Sequence, residues 1–145
     1  MSTSELAAWR GFLRVHSAVI RDLDAALATA HDMPLTSYEV LLYIDGTRDG
    51  RMRMSDLAES VLLSRSGVTR LVDRLEKAGM VRRDTCAEDA RGAYAVITRA
   101  GRLALADARQ THHAGVRERF LRHLSGEERE QLTELWERIE PGAAR

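Results

Sequence analysis

Residues Leu63 to Gly79 read Leu-Ser-Arg-Ser-Gly-Val-Thr-Arg-Leu-Val-Asp-Arg-Leu-Glu-Lys-Ala-Gly, a segment whose start, stop and two faces are all written locally. Ser64 is placed to cap a helix by accepting a hydrogen bond from a free N–H of the first turn, and Gly79 supplies a left-handed residue at which the chain can leave. Val68, Leu71, Val72, Leu75 and Ala78 recur at three- and four-residue steps and predict one apolar stripe. Ser66, Thr69, Arg70, Asp73 and Lys77 fall on the opposite side. Near its N-terminus the outward face carries Arg65, Ser66, Thr69 and Arg70, short hydroxyls and forked donors of the kind that bind base edges and phosphates in a major groove. An ordinary solvated surface helix has the same two faces, so the flanking segments must decide.

Upstream, Ser55 is read as the cap of a short helix with Asp56 at its positive end and Leu57, Ala58, Val61 and Leu62 on its buried face. Two short helices joined by a tight turn make a helix-turn-helix. Before them, Thr36 and Glu39 have capping-box spacing at the head of a helix through Val40, Leu41 and Ile44, which Gly46 and Gly50 end. Arg51 to Met54 then alternates like a very short strand. After Gly79, Met80 to Thr85 reads as a strand, Cys86 to Gly92 as a polar loop and Ala93 to Ile97 as the returning strand, a hairpin appended to the Leu63–Gly79 helix.

The two ends of the chain are helical by period. From Ser4 to about Ala30, Leu6, Trp9, Leu13, His16, Ile20, Leu23 and Leu27 step by three or four with no proline between them. At ~1.5 Å per residue this helix spans roughly 40 Å, more than one small domain can cover, and such a stripe ordinarily packs on a second chain. Thr98 starts another long helix through Leu103, Leu105, Val116, Phe120 and Leu124. Ser125 caps a last one through Leu132, Leu135, Trp136 and Ile139, ending by Pro141.

A chain of 145 residues suits one domain that folds without staples, and its single cysteine, Cys86, excludes an internal disulfide. No apolar run reaches membrane-spanning length and the N-terminus lacks a secretion signal, so the expected location is the cytoplasm. The formal net charge is zero, which requires any DNA binding to come from a local cluster. Arg65, Arg70, Arg74, Lys77, Arg82, Arg83 and Arg91 form one, while glutamates concentrate towards the C-terminus.

This order of elements, with the phrases Met54 to Ala58, Leu63 to Arg83, Asp89-Ala90-Arg91 and Ile97 to Gly101, resembles the MarR family of bacterial transcription regulators over nearly the whole chain. The resemblance implies a mainly α fold with a small β-hairpin wing, a single domain over residues 1–145. Residues 4–31 and 99–140 would form dimerisation helices and residues 36–98 a winged helix-turn-helix lobe. It further implies a sequence-specific DNA-binding regulator, a repressor, that grips a pseudo-palindromic double-stranded operator as a homodimer and is released by a small-molecule effector. The expected DNA-binding residues are Ser55, Ser64, Arg65, Ser66, Thr69, Arg70, Arg74, Arg82, Asp89 and Arg91. Arg91 would reach the minor groove and Asp89 would hold a neighbouring guanidinium in place. The chain departs from the family where further basic residues commonly follow the wing tip, since it has Gly92, Ala93 and Tyr94, and Glu88 and Asp89 dilute the wing's charge. In the family, aromatic acids bind where dimerising helices meet the DNA-binding lobe. His16 interrupts an apolar stripe flanked by Arg10 and Arg14, so Trp9, Arg10, Arg14, His16 and Tyr38 are the expected effector residues.

Other classes lack parts. There is no nucleophile elbow, Gly-rich phosphate loop or His-Glu-x-x-His helix, so no catalytic residue, metal or cofactor is assigned. His112 and His113 are adjacent, ~100° apart on a helix, and cannot chelate one ion as an i, i+4 pair would. A thiol-responsive regulator would have to act through Cys86, because the family's sensing cysteine lies in the first helix and is absent here. A helical interaction module that binds no DNA remains the third alternative.

Overall fold

The computed structural model describes residues 1–61, 64–85 and 92–143, without the side chain of Arg65. The expectations for Leu62, the Arg65 side chain, Cys86, Asp89 and Arg91 therefore lie outside the described residues. The elements are α1 (Thr3–His31), α2 (Leu35–Asp45), β1 (Arg51–Arg53), α3 (Met54–Ser60), α4 (Arg65–Lys77), β2 (Val81–Thr85), β3 (Ala93–Ile97), α5 (Arg99–Arg119), a 3-10 turn (Leu121–His123) and α6 (Gly126–Ile139). They form two compact units, Asp24–Thr111 and Met1–Leu23 with His112–Arg145.

In the Asp24–Thr111 unit, α4 has the ends its sequence dictates. The Ser64 hydroxyl accepts from the Gly67 N–H at 3.1 Å. At the other end Gly79 takes φ +73°, its N–H bonding the Glu76 carbonyl and that of Met80 the Leu75 carbonyl, both at 2.9 Å. This pair of bonds closes the last turn and requires a residue that tolerates positive φ. Val68, Leu71, Val72 and Leu75 are buried, with Tyr38, Val40, Leu41 and Ile44 of α2, Leu57 of α3, Val81 and Ala95 of the sheet and Leu105 of α5. Burial of each large side chain contributes roughly 1.5–3 kcal/mol before entropy is counted. Ala78, expected on the stripe, is exposed because the helix has already ended there.

Two caps differ from expectation. α2 begins at Leu35, two residues earlier than a helix capped by Thr36 would begin. Pro34 precedes it in an extended conformation and offers no side-chain cap. The free N–H of Leu35 instead donates to Asp24 Oδ1 at 2.8 Å, so the cap comes from α1 and Thr36 and Glu39 lie inside the first turns. α3 likewise begins at Met54, directly from β1, and Arg53 takes the cap position without a side-chain bond. Ser55 is thus inside the first turn, with its hydroxyl 3.4 Å from Asp56 Oδ1.

The three strands form one antiparallel sheet in the order β1-β3-β2, so β1 is a third strand on the hairpin. Arg51 pairs with Val96 and Arg53 with Tyr94, while on the other side of β3 Arg82 pairs with Val96 and Asp84 with Tyr94. Thr98 then joins two elements with one hydroxyl, which donates to the Gly79 carbonyl at 2.6 Å and accepts from the Gly101 N–H at 3.0 Å. Gly101 has no room for a side chain, since a Cβ there would lie 2.1 Å from the Met80 carbonyl oxygen. The exit of α4 and the start of α5 are therefore fixed to each other.

In the other unit, α6 opens with a capping box: the Ser125 hydroxyl accepts from the Glu128 N–H at 3.2 Å and Glu128 Oε2 accepts from the Ser125 N–H at 2.7 Å. These bonds favour the Glu128 carboxylate and lower its pKa. α5 stops at Arg119, short of Leu124, because Phe120 leaves helical geometry and a guanidinium N–H of Arg129 takes the Leu121 carbonyl at 2.9 Å. Arg119 reaches Asp22 at 3.4 Å.

Candidate nucleic-acid interface

The outward face of α4 is exposed at Ser66, Thr69, Arg70, Arg74 and Lys77. Arg70, Arg74 and Lys77 line a groove of about 620 Å³ with Thr36, Gly67, Leu71 and Asp73. Three cations at helical spacing along one groove are suited to forked and point contacts with an anionic backbone. Ser64 is committed to its cap and also lies 3.2 Å from the Ser66 hydroxyl. Ser55 is exposed at the head of α3.

Asp73 and Glu76 place two acids on the same helix, and Arg83 of β2 pairs with both. Its guanidinium contacts Asp73 Oδ1 at 2.6 Å and Glu76 Oε2 at 2.8 Å, and donates to the Thr69 carbonyl at 3.2 Å. Its backbone N–H donates to Glu76 Oε1 at 3.0 Å. Alternation along β2 decides the outcome: Arg83 falls on the sheet face turned to α4 and Arg82 on the other, 3.7 Å from Asp84. Arg83 is thus a bracket between α4 and the sheet, a role the run of basic residues did not disclose. The i, i+3 acids Asp73 and Glu76 were the available signal.

The five expected effector residues divide between the two units. Tyr38 is 2% exposed in the core of Asp24–Thr111. Burial raises the pKa of its hydroxyl and hydrogen bonding to Arg109 opposes the rise. In the other unit, His16 lines an apolar cavity of about 510 Å³ and Trp9 a second of about 450 Å³; Phe12 and Trp136 line both. Phe12 is the centre of an aromatic cluster, 5.9 Å from Trp9, 6.1 Å from His16 and 5.7 Å from Trp136 between ring centroids. Arg10 and Arg14 are exposed and line neither cavity. Around these cavities Trp9 is 53% exposed and Ile139 70%, with Phe12, Leu13, Val15, Ile20 and Leu135 also open to solvent.

Among the described residues no three His, Cys, Asp or Glu side chains are grouped to hold a metal ion, and no helix is long and apolar enough to cross a membrane.

Comparison with known proteins agrees with this architecture. The MarR family model matches residues 31–92. Over 135 residues the chain is 30% identical to the HTH-type transcriptional regulator YfiV of Bacillus subtilis, spanning 92% of this chain and 81% of that protein. Two solved structures from Streptomyces coelicolor are similar along almost their full length. AbsC, a MarR family transcriptional regulator, has a TM-score of 0.87 at 33% identity, covering 97% of this chain and 93% of its own. Sco3205, a MarR family transcriptional regulator solved in complex with DNA, has a TM-score of 0.88 at 29% identity, covering 98% and 95%. With relatives at 30% and 33% identity matched over most of their length, the chain belongs to the MarR family of transcriptional regulators.

Proposed function

We propose that the protein is a repressor that binds a pseudo-palindromic operator as a homodimer, one α4 in each of two successive major grooves. The observation that carries this reading is the outward face of α4, where Arg70, Arg74 and Lys77 line one groove while Arg83 occupies the acids of the same helix. Ser66, Thr69 and Arg70 read base edges; Arg74, Lys77 and Ser55 hold phosphates; Arg65 and Arg82 add to the backbone grip. From the wing, Arg91 enters the minor groove with Asp89 orienting it. The structure of Sco3205 in complex with DNA supports the assignment.

Dimerisation rests on Trp9, Leu13, Leu135 and Ile139, apolar side chains exposed together in the unit that holds both chain ends. Two copies then present two recognition helices to half-sites a whole number of helical turns apart. The effector is a small aromatic acid whose ring lies against Phe12 and Trp136 and whose carboxylate pairs with His16, favouring a half-site spacing that misfits the operator.

Electrophoretic mobility shift on the DNA upstream of the protein's own gene tests the reading, with titration of salicylate and hydroxybenzoates into the complex. A discrete complex resistant to competitor DNA and dissolved by one of the acids is expected. Failure to prefer any segment over competitor would overturn the regulator assignment, and a complex indifferent to every acid would overturn the effector.

A further inference from the structure

Between the link that joins α1 to α2 and the last turn of α4 lies a pocket of about 150 Å³, all within the Asp24–Thr111 unit. Met33, Leu75 and Met80 give it apolar walls, and three polar residues line it with them: Asp32, Ser37 and Arg74. Ser37, at 6% exposure, is the single buried polar residue among those described. Its N–H donates to the Pro34 carbonyl at 2.9 Å, while its hydroxyl has no hydrogen-bond partner among the described residues. A hydroxyl withdrawn from water and left without a partner costs free energy, which a polar molecule in the pocket would recover. Asp32 and Arg74 are exposed and form no ion pair, with each other or with any described residue.

We propose that this pocket binds a small zwitterion, a free amino acid with a short side chain. Its carboxylate pairs with the Arg74 guanidinium and its ammonium with the Asp32 carboxylate, and the Ser37 hydroxyl donates to a carboxylate oxygen. A plain anion would meet repulsion from Asp32 and a plain cation from Arg74, whereas a zwitterion satisfies both. The volume is that of about five waters and falls below the roughly 300–1,000 Å³ of drug-sized sites, so few atoms beyond the α-carbon fit. Arg74 also lines the outward groove of α4, which gives the site an output. One guanidinium cannot hold an amino-acid carboxylate and a DNA phosphate in the same forked geometry. The ligand therefore weakens operator binding, and DNA weakens ligand binding by the same factor. This coupling rests on the DNA-binding reading above; the pocket itself does not.

Binding is measured by calorimetry on the whole chain without DNA, using glycine, L-alanine, L-serine and L-valine, with propionate and propylamine as carriers of one charge each. At least one amino acid is expected to bind, and the single-charge molecules about tenfold more weakly or worse. Asp32→Asn should weaken binding about tenfold by removing the partner of the ammonium. Asp32 has φ +50°, a left-handed conformation that asparagine also tolerates, so the fold is kept. Ser37→Ala should weaken binding about fivefold with the melting temperature unchanged or raised, since the hydroxyl it removes has no partner in the protein. Both variants should match the parent on operator DNA in fluorescence anisotropy. The amino acid that binds the parent should lower its operator affinity several-fold and, at the same concentration, leave that of Asp32→Asn nearly unchanged. No binding by any amino acid, equal binding of propionate or propylamine, or binding that neither substitution weakens overturns the pocket, the result expected if it holds only water. Binding that leaves operator affinity undiminished overturns the coupling through Arg74. A chain that binds an amino acid but prefers no duplex overturns the DNA-binding reading while the pocket stands.

Discussion

The Arg83 guanidinium closes on the Asp73 carboxylate at 2.6 Å, joining β2 to the middle of α4. With Glu76 completing the fork, one side chain of β2 ties the sheet to α4 through two of its acids. Arg83→Ala should cost about 1–2 kcal/mol of stability, since the pairs are partly exposed and two carboxylates lose their partner. It should also weaken operator binding, by loosening α4 from the sheet. Arg83→Lys keeps the charge but not the fork and should recover less than half of either loss. Urea denaturation alongside anisotropy separates the two effects.

Arg70→Ala should behave in the opposite way. The side chain is exposed on the outward face of α4, so unfolding should be unchanged. Specific affinity should fall by ~1–3 kcal/mol per lost base contact, counted twice in a symmetric dimer. Anisotropy on operator and scrambled duplexes is the check, and an equal loss on both would reassign Arg70 from base reading to phosphate holding.

For assembly, Ile139 is the discriminating position, because at 70% exposure it contributes little to the packing of its own unit. Ile139→Asp should leave helicity by circular dichroism intact and shift the light-scattering mass from dimer towards monomer as concentration falls through the micromolar range. An unchanged dimer would move the interface elsewhere.

Acid should weaken the protein in two windows. Burial, with His113 adding to it, holds the His112 imidazole below the ordinary histidine range. Its folded pKa is therefore lower than its unfolded one. Above that range both states are neutral and it contributes nothing; as pH falls through the range, the unfolded state takes the proton first and stability declines. The urea midpoint should drop between about pH 7 and pH 5.5, and His112→Gln should flatten the drop. Glu128, held below the ordinary carboxylate range by the Ser125 bonds, stabilises α6 above that range and ceases to as pH falls through it. Glu128→Gln should remove this second, more acidic loss.

What the sequence discloses depends on how far away the partner lies. The ends of α4 are legible because Ser64 and Gly79 act within four residues of the groups they satisfy. The start of α2 is not, because its cap is Asp24, eleven residues back, and the Thr36–Glu39 spacing offers a local alternative that Pro34 displaces by starting the helix earlier. Ser55 misleads for the same reason, since β1 runs into α3 without room for a cap. The exposed donors of α4 follow from period alone. The role of Arg83 does not, because it depends on strand register: a one-residue alternation sends Arg83 to the helix and Arg82 to the opposite face.

The bond from Leu35 N–H to Asp24 Oδ1 also bears on how the protein opens. A helix capped by its own neighbour can form and fray alone, but α2 borrows its first acceptor from the side of another helix. Whenever α1 unwinds through Asp24, α2 loses its start. Amide exchange at Leu35 should therefore follow the opening of α1 at Asp24, and not the fraying of α2 alone.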